Sequence, residues 1–246
     1  MRILLLDIET SPLTVYVWRL NQDYIQPSNI IDTAQVLCWS AKWLGEKEIM
    51  FDSIMNNDPV TMMQGIHSLL EQADAVVHYN GSRFDIPILN REFLLFGIKP
   101  PSTYKQIDLL KVARNQFKFP SNKMDFIAKA LGIEGKTEHA GFQMWVDCMA
   151  YKEDAWKEME KYNKNDIIVL ENLYKKLLPW IKQHANHSVI DNALVCPNCG
   201  GLRHQKRGFH YTAAAKYQRY QCTDCGNWFR GGKSLAAGPA GKFVNV

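Results

Sequence analysis

The chain opens with a run of apolar residues that ends in two acids. Ile3 to Leu6 are four consecutive aliphatic residues, and Asp7 and Glu9 follow them. A short apolar run of this kind predicts a buried strand. Alternate residues of a strand point to the same face, so we expect Asp7 and Glu9 to lie next to each other at its carboxyl end.

Other segments predict the rest of a sheet. Residues 75–79 have the pattern of a second buried strand, and residues 15–18 that of a short one. Residues 35–44 and 48–52, rich in Val, Trp and Phe, predict a hairpin around a turn that contains Gly45.

Apolar residues spaced three and four apart predict helices between and after these strands. Asp58 followed by Pro59 is typical of a helix start, with the acid as the cap. The further predicted helices cover residues 84–96, 105–115, 121–131 and 154–178. Strands that come first and then alternate with helices indicate an α/β fold with a mixed sheet flanked by helices.

Composition limits the class of protein. The 246 residues, 46% of them hydrophobic, are enough for one large domain or for a domain with a small appendage. We find no run of about 18 or more apolar residues and therefore expect no membrane span. The first residues do not have the pattern of a signal peptide, so we expect a cytoplasmic, reducing environment in which the six cysteines form no disulfide framework.

The net charge of +4 conceals two parts of opposite sign. Residues 1–192 carry 21 basic and 24 acidic residues, whereas the chain from residue 193 carries eight basic residues and one acid, Asp224. Those basic residues are Arg203, Lys206, Arg207, Lys216, Arg219, Arg230, Lys233 and Lys242. We therefore predict one domain at 1–185, a second at 193–232 and a flexible tail rich in Gly and Ala at 233–246.

Two further acidic positions belong with the acidic pair of the first strand. Asp85 follows the turn at Asn80 and begins a helix, so it can reach the carboxyl ends of the strands, where sites gather in such sheets. Tyr162 and Asp166 lie four residues apart on one face of the longest helix. Each feature alone has a structural explanation, because an acid at a helix start also stabilises the helix dipole.

Together these positions resemble the DEDD (DnaQ-like) 3′–5′ exonuclease superfamily, which includes the proofreading domains of family A and family B DNA polymerases. The matching motifs are Asp7-x-Glu9, Asn80-Gly81-x-x-Phe84-Asp85 and Tyr162-x-x-x-Asp166. The histidine subgroup has a histidine five residues before the last acid, where this chain has Lys161, so the resemblance is to the tyrosine subgroup. The resemblance covers about residues 1–180. The sequences of the first two motifs look most similar to those of family B proofreading domains and their stand-alone phage relatives.

The resemblance implies an RNase H-like fold and a two-metal mechanism of phosphodiester hydrolysis. Asp7, Glu9 and Asp166 would hold the ion that activates the attacking water. Asp7 and Asp85 would hold the ion that stabilises the leaving oxygen, and Tyr162 would orient the water. Hard Mg²⁺ or Mn²⁺ ions suit a site made only of carboxylates.

Several neighbouring residues keep two explanations each. Asp108 either caps a helix or orients a ligand residue. Asn80, Ser82 and Arg83 either contact the substrate or serve only the turn. Structural or core positions are assigned to His78, His139, Trp39, Trp43, Met62, Met63, Cys38 and Cys148.

Four cysteines form two Cys-x-x-Cys-Gly motifs near the end of the chain. They are Cys196, Cys199, Cys222 and Cys225. The 22 residues between the two pairs slightly exceed the spacing of about 15–20 that is usual for zinc sites. Four thiolates suit one tetrahedral structural Zn²⁺ ion, which would supply much of the folding energy of so small a segment.

Basic and aromatic residues alternate between the two motifs, a pattern typical of proteins that hold single-stranded nucleic acid. Arg207, Tyr217 and Arg219 are the candidate contacts. The segment resembles the zinc ribbons of transposases and other nucleic-acid proteins. Two alternatives stay open: the ribbon docks a protein partner, or its aromatic residues only form a small core.

We therefore expect a metal-dependent 3′–5′ exonuclease that acts on DNA, preferably at single-stranded 3′ ends, with the ribbon strengthening the hold on nucleic acid. RNA is the alternative substrate. A role in DNA replication or repair would need a DNA polymerase or another replisome partner. A non-catalytic nucleic-acid or replisome binding protein on the same scaffold is the competing class. The expected location is the cytoplasm, or the host cytoplasm for a phage-encoded chain.

Overall fold

The computed structural model describes residues 1–134 and 140–237. Within them the chain forms two units, one from Arg2–Tyr174 and one from Met1 together with the chain from Lys175 onward. No helix in the described part is long and apolar enough to cross a membrane. His139, to which we assigned a structural role, lies outside the described residues.

Five strands come first, strands and helices alternate from α1 to α3, and further helices precede the last three strands. The strands are β1 Ile3–Thr10, β2 Thr14–Val15, β3 Ile30–Asp32, β4 Val36–Trp43, β5 Met50–Ser53, β6 Ala75–His78, β7 Lys105–Asp108, β8 His204–Tyr211, β9 Ala215–Cys222 and β10 Trp228–Ala237. The helices are α1 Pro59–Glu71, α2 Asp85–Leu95, α3 Leu109–Gln116, α4 Met124–Ala130, α5 Phe142–Met149, α6 Glu153–Leu177 and α7 His187–Ile190. Short 3₁₀ turns occupy Pro27–Asn29 and Leu178–Trp180.

The larger unit is built on a five-stranded sheet in the order β5-β4-β1-β6-β7. β1 pairs antiparallel with β4 and parallel with β6, so it lies at the centre of the sheet. β4 and β5 are antiparallel neighbours, and β6 and β7 are parallel ones. The mixed α/β sheet that the sequence predicts, with its buried first strand and its hairpin, is therefore confirmed.

The side chains of β1 alternate between two layers of helices. Leu4, Leu6 and Ile8 belong to a core cluster with buried residues of α1 and α2. Asp7 and Glu9 point to the opposite face, because successive strand side chains alternate. On that face α5 and α6 pack over β4. The alternation therefore places both acids of β1 beneath α6.

A buried ion pair joins the sheet to α6. Lys42 on β4 pairs with Glu171 on α6, and each side chain is only 10% exposed. Charged residues are rarely buried to this extent unless they are paired, because their removal from water is costly. The pair therefore specifies which turn of α6 lies over β4.

The helix predicted at 105–115 is wrong in its first part. Residues Lys105–Asp108 form the edge strand β7, which pairs in parallel with β6. Asp108 is the cap of α3, since its carboxylate accepts the N–H of Leu110 at 3.1 Å. The helix cannot begin before its cap, so the preceding residues are available to the sheet.

Three other elements also differ from the sequence prediction. The strand expected at 15–18 is reduced to Thr14–Val15, and Trp18 beyond it is 98% exposed. α4 begins later than expected, at Met124. α5 was not predicted; its eight residues send only Met144 and Cys148 into the core, too short a pattern to recognise.

The predicted cap of α1, the bounds of α6 and several core positions agree with the structure. Asp58 caps α1 by accepting two backbone N–H groups of the first turn. α6 has the predicted bounds within one residue at each end. The residues assigned to core or structural positions that are buried in the structure are Cys38, Trp39, Trp43, Met62, Met63, His78 and Cys148.

The smaller unit contains an antiparallel sheet in the order β10-β9-β8. β9 lies in the middle, and irregularities interrupt its pairing with both neighbours. β10 continues to Ala237, so residues 233–237 belong to a strand and not to the flexible tail that we expected. The rest of that predicted tail, residues 238–246, lies outside the described residues.

We predict that Lys42→Met lowers the free energy of unfolding by about 3 kcal/mol, because it removes the cation that faces the buried carboxylate of Glu171. The double variant Lys42→Met/Glu171→Leu should recover most of this loss, since two apolar side chains leave no buried charge. Chemical denaturation measures both.

The control is Lys129→Met, which breaks a surface pair with Asp125 in which the lysine is 69% exposed. It should change the free energy of unfolding by less than about 0.5 kcal/mol. A Lys42→Met protein as stable as the wild type would contradict the structural role of the buried pair.

Candidate active site and cysteine cluster

Asp7 and Glu9 from β1 and Asp166 from α6 come together in one site. One oxygen of each carboxylate lies within 4.8 Å of the others. Asp166 is buried, at 5% exposure, and the two acids of β1 are partly exposed. We call these three residues the carboxylate cluster. The structure thus brings together acids from the beginning and the end of the larger unit.

α6 presents Asp166 to β1 because its apolar stripe packs against the sheet. Trp156, Met159 and Tyr162 belong to a buried cluster with residues of β4 and α5. Asp166 follows Tyr162 by four residues and therefore lies on the same face of the helix. The packing that buries the aromatic residues also places the carboxylate of Asp166 beside the acids of β1.

Asn163 is a part of this site that sequence reasoning missed. It is fully buried, and its side-chain amide donates to Oδ2 of Asp7 at 2.7 Å. The Sγ of Cys38 lies 4.0 Å from its amide oxygen. A signal was available, since Asn163 lies three residues before Asp166 and hence on the same helix face. Its contact fixes the orientation of the Asp7 carboxylate.

Asp85 lies beside the carboxylate cluster, at the first residue of α2. It is almost fully buried, and its Oδ1 accepts the backbone N–H of Ile8 at 3.1 Å. β6 pairs with β1 only as far as Leu5, so Asp85 takes the place of a neighbouring strand further along β1. The carboxylate is thereby held next to Asp7, whose pKa its charge raises.

The acids of the site oppose each other's ionisation. Burial raises the pKa of Asp7 well above its usual range, and the charges of Asp85, Glu9 and Asp166 raise it further, against the hydrogen bond from Asn163. Burial likewise raises the pKa of Asp85 to about 7. A buried group of like charges is unfavourable unless a cation compensates it. An all-oxygen, anionic donor set of this kind fits Mg²⁺ or Mn²⁺.

Tyr162 lies against the cluster and keeps its proton. Its side chain is 6% exposed, and its ring meets Trp145 edge-on at 5.8 Å between centroids. Burial raises the pKa of its phenol, and the charges of Asp166, Glu9 and Asp7 raise it further, as does a hydrogen bond to Asp166. Tyr162 is therefore a hydrogen-bond donor at neutral pH and not a base.

The loop between β6 and α2 is held by Asp108. Its two oxygens accept from the backbone N–H of Asn80 at 3.0 Å and from the hydroxyl of Ser82 at 2.5 Å. Burial alone would raise the pKa of Asp108, but these hydrogen bonds and the nearby His78 lower it. Asp108 therefore both caps α3 and orients the loop that leads to Asp85. Arg83, a predicted nucleic-acid contact, is exposed on this loop.

Gly81 is required in this loop by a close approach to His78. A Cβ atom at position 81 would lie 2.4 Å from Cγ of the buried histidine ring. Real Cβ contacts are not this short, so a larger residue would displace the ring or the loop. His78 thus has the structural role that we assigned, as the surface against which the loop turns.

Residues 4–178 match a family model described as the RNase_H superfamily. The chain belongs to the RNase H superfamily. The solved structure of the family B DNA polymerase from the hyperthermophilic archaeon Pyrobaculum calidifontis is similar in fold, with a TM-score of 0.52 and 17% sequence identity. The similarity covers 72% of this chain and 24% of the polymerase chain, so this chain spans about a quarter of that protein. A search of curated proteins finds no match.

The carboxylate cluster lies within the part that matches the RNase H superfamily, and the four cysteines lie beyond it. Cys196, Cys199, Cys222 and Cys225 converge, each offering a sulfur atom within 4.8 Å of the others. The Sγ atoms of Cys196 and Cys225 are 3.8 Å apart, and those of Cys199 and Cys222 are 3.7 Å apart. Sulfurs at about 2.3 Å from a tetrahedral Zn²⁺ have this separation, which is far too long for a disulfide.

The two cysteine motifs fold in the same way. In each, the N–H of the glycine after the second cysteine donates to the carbonyl of the first, at 2.9 Å for Gly200 and 3.0 Å for Gly226. Both glycines have positive φ angles, 71° and 82°, which explains why glycine stands there. Burial raises the pKa of Cys199 to about 11, although the backbone N–H of Gly201 opposes this. A cation at the centre would favour the thiolates.

The predicted nucleic-acid contacts of the smaller unit lie on its sheet. Tyr217 and Arg219 are two residues apart on β9 and therefore share a face. Arg207 lies in the irregular part of β8, where its carbonyl accepts from Nε of Arg219 at 2.8 Å.

We predict that Asp7→Asn raises the free energy of unfolding by about 1 kcal/mol at neutral pH in a buffer without divalent ions. Folding raises the pKa of Asp7, so the ionised carboxylate is less stable in the folded protein than in the unfolded chain. The uncharged amide of asparagine avoids this cost, and its oxygen can still accept the hydrogen bond from Asn163. Chemical denaturation of the two proteins measures the difference.

Asp154→Asn is the matched control, because this carboxylate is 97% exposed and should leave stability almost unchanged. A marked loss of stability in Asp7→Asn alone would show that the carboxylates do not repel each other in the folded protein.

Proposed function

We propose that this chain is a metal-dependent 3′–5′ exonuclease of the tyrosine subgroup of DEDD enzymes. The observation that carries the proposal is the carboxylate cluster of Asp7, Glu9 and Asp166, with Asp85 and Tyr162 beside it. Membership of the RNase H superfamily supports a nuclease-type function.

In this proposal the carboxylates hold two divalent ions, Mg²⁺ or Mn²⁺. Asp7, Glu9 and Asp166 would hold one ion, and Asp7 and Asp85 the other. Two such ions supply the chemistry of phosphodiester hydrolysis by activating water and neutralising charge on the attacking and leaving oxygens. The hydrogen bond from Asn163 to one oxygen of Asp7 orients this carboxylate, which both ions would share.

Tyr162 positions the water for attack. Its phenol stays protonated and is tied to Asp166 by a hydrogen bond, so it is a fixed polar group at the edge of the cluster. The water oxygen forms a bond to phosphorus, and the bond from phosphorus to the 3′ oxygen of the strand breaks. The products are a nucleoside 5′-monophosphate and a strand with a new 3′ hydroxyl.

Single-stranded DNA is the substrate that we favour. The resemblance to family B proofreading domains and the similarity of fold to a family B DNA polymerase support DNA over RNA. Asn80 and the exposed Arg83, on the loop that leads to Asp85, are the proposed contacts with the strand near the site. A DNA polymerase or replisome subunit is the proposed protein partner, and a non-catalytic scaffold is the alternative function.

The four cysteines are proposed to hold one structural Zn²⁺ ion, and the β8–β10 sheet to strengthen binding to nucleic acid. The sulfur separations of 3.7 and 3.8 Å and the equivalent fold of the two motifs support a zinc ribbon.

We predict that the wild-type protein shortens a 5′-labelled single-stranded DNA stepwise from its 3′ end when Mg²⁺ or Mn²⁺ is added. Asp7→Asn should lose at least about a thousandfold in rate, because it removes the ligand that both ions would share. Tyr162→Phe should keep a small residual rate, since it removes only the group that positions water. Gel analysis of the products measures all three rates.

A labelled RNA of the same sequence decides between the two substrates, and Asp154→Asn serves as the surface control with wild-type rates. Full activity in Asp7→Asn would contradict the assignment of the site. Binding of both strands without hydrolysis would favour the non-catalytic scaffold.

We predict that the purified protein contains one zinc ion per chain and that Cys199→Ser/Cys225→Ser contains none. The loss should unfold the β8–β10 sheet, because so small a unit has little apolar core of its own. Elemental analysis and proteolysis of the cysteine-containing segment measure the two effects. Cys38→Ser is the control, since this buried thiol lies outside the cluster. A zinc-free wild-type protein with a protease-resistant sheet would contradict the zinc assignment.

A further inference from the structure

The two faces of the β8–β10 sheet differ in what they carry. Cross-strand partners share a face of a sheet, and the pairing places Arg219 opposite Arg230 and Gln221 opposite Trp228. Tyr217 lies two residues before Arg219 and points the same way. We call the surface made by Tyr217, Arg219, Trp228 and Arg230 the arginine–aromatic face.

On this face each arginine lies over an aromatic ring. The guanidinium of Arg230 is 3.9 Å from the ring centre of Tyr217, and that of Arg219 is 5.1 Å from that of Trp228. These distances are within the range of cation–π contacts. Arg219 is further held by the carbonyl of Arg207. The arginines are therefore oriented before any ligand arrives, yet both remain exposed, and Trp228 is 50% exposed.

The positive charge of this sheet is not balanced by acids. Strands β8, β9 and β10 contain no Asp or Glu. Asp224, the single acid from residue 193 onward, lies in the second cysteine motif and pairs with Arg203 at 2.6 Å. The strands of this sheet therefore supply no acid to the arginine–aromatic face, which suits it to a polyanion.

Part of the opposite face of the same sheet packs within its own unit. Tyr220 and Phe229 stack there with ring centres 5.6 Å apart, and His204 meets Tyr220 edge-on at 5.3 Å. These rings share a cavity of about 580 Å³ with Val189 and Leu194 from the segment around α7. Tyr220 and Phe229 are thus partly covered within the unit, while Phe209 and Tyr211 on the same face stay exposed beneath Lys216. Trp228 takes no part in these contacts and is 50% exposed, so a small core does not explain the arginine–aromatic face.

We propose that the arginine–aromatic face binds a single strand of nucleic acid. Bases would stack on Trp228 and Tyr217, while Arg219 and Arg230 contact phosphates. A single strand is required, because the bases of a duplex are already stacked and cannot meet an aromatic side chain. The inference rests on the exonuclease function proposed above and gives that enzyme a second hold, independent of base sequence, on the nucleic acid that it would shorten.

Binding is measured by fluorescence anisotropy with the full-length, zinc-loaded protein carrying Asp7→Asn, which prevents degradation of the probe. The probes are labelled oligothymidylate, its oligouridylate counterpart and a duplex of mixed sequence. Arg219→Ala/Arg230→Ala is compared with Lys206→Ala/Lys216→Ala, which removes the same charge from the opposite face. Zinc content and circular dichroism establish that each variant is folded.

The double variant Arg219→Ala/Arg230→Ala should weaken binding of the single strands by about tenfold or more. The plot of log affinity against log salt concentration should become less steep by about 1.4, the value for two lost phosphate contacts. Trp228→Ala should weaken binding by about fivefold or more with the slope unchanged, because it removes stacking alone. The lysine pair should have a clearly smaller effect. The two single-stranded probes show whether the face accepts DNA, RNA or both, and the duplex should bind more weakly.

Equal losses from the arginine and lysine pairs would overturn the proposal, because binding would then follow net charge and not this face. Unchanged affinity in the arginine pair would also overturn it and favour a protein ligand for the sheet.

Hydrolysis of thymidine 5′-monophosphate p-nitrophenyl ester by the wild-type protein separates this proposal from the one on which it rests, because so small a substrate needs only the carboxylate cluster. Strand binding through this face without ester hydrolysis would overturn the exonuclease function alone. Ester hydrolysis with strand affinity insensitive to the arginine pair would overturn the present proposal alone.

Discussion

The packing of α6 across β1 and β4 is the contact on which the carboxylate cluster depends. β1 supplies two acids, and only the docking of α6 adds the third together with Tyr162 and Asn163. Apolar residues of α5 and α6 drive this docking, and the ion pair of Lys42 with Glu171 specifies its position. The carboxylates oppose it, since each raises the pKa of Asp7. The apolar contacts around the site must therefore outweigh a repulsion within it, which is a common arrangement at functional sites.

A single carboxylate organises the other side of the site. Asp108 caps α3 and at the same time accepts from Asn80 and Ser82. The turn that it holds leads directly into α2, whose first residue is Asp85. An acid that contributes nothing to the carboxylate cluster itself thus determines where one of its neighbours lies. The close approach of Gly81 to His78 completes the same turn from beneath.

Local periodicity was enough to predict the pairs that share a strand or a helix. Asp7 with Glu9 and Tyr162 with Asp166 each follow from the repeat of one element, whatever that element packs against. The helical spacing places Asn163 on the face of Asp166, but its hydrogen bond to Asp7 could not be predicted, because that contact exists only once α6 lies over β1. Residues 105–108 were misassigned for a similar reason, since their pairing with β6 is a long-range contact that a four-residue segment does not encode. The stacking of Arg230 on Tyr217 likewise depends on an irregular register between β9 and β10.

The separation in sequence between Asp7 and Asn163, 156 positions, has a consequence for the order in which the protein matures. A ribosome releases β1 early and α6 late. A nascent chain therefore carries Asp7 and Glu9 long before α6 can add Asp166 to the carboxylate cluster. The cysteine cluster is different, because its outermost ligands are only 29 positions apart and can close as soon as that stretch emerges. The two centres of this molecule therefore form by unlike routes, one waiting for a distant helix and the other closing a short loop.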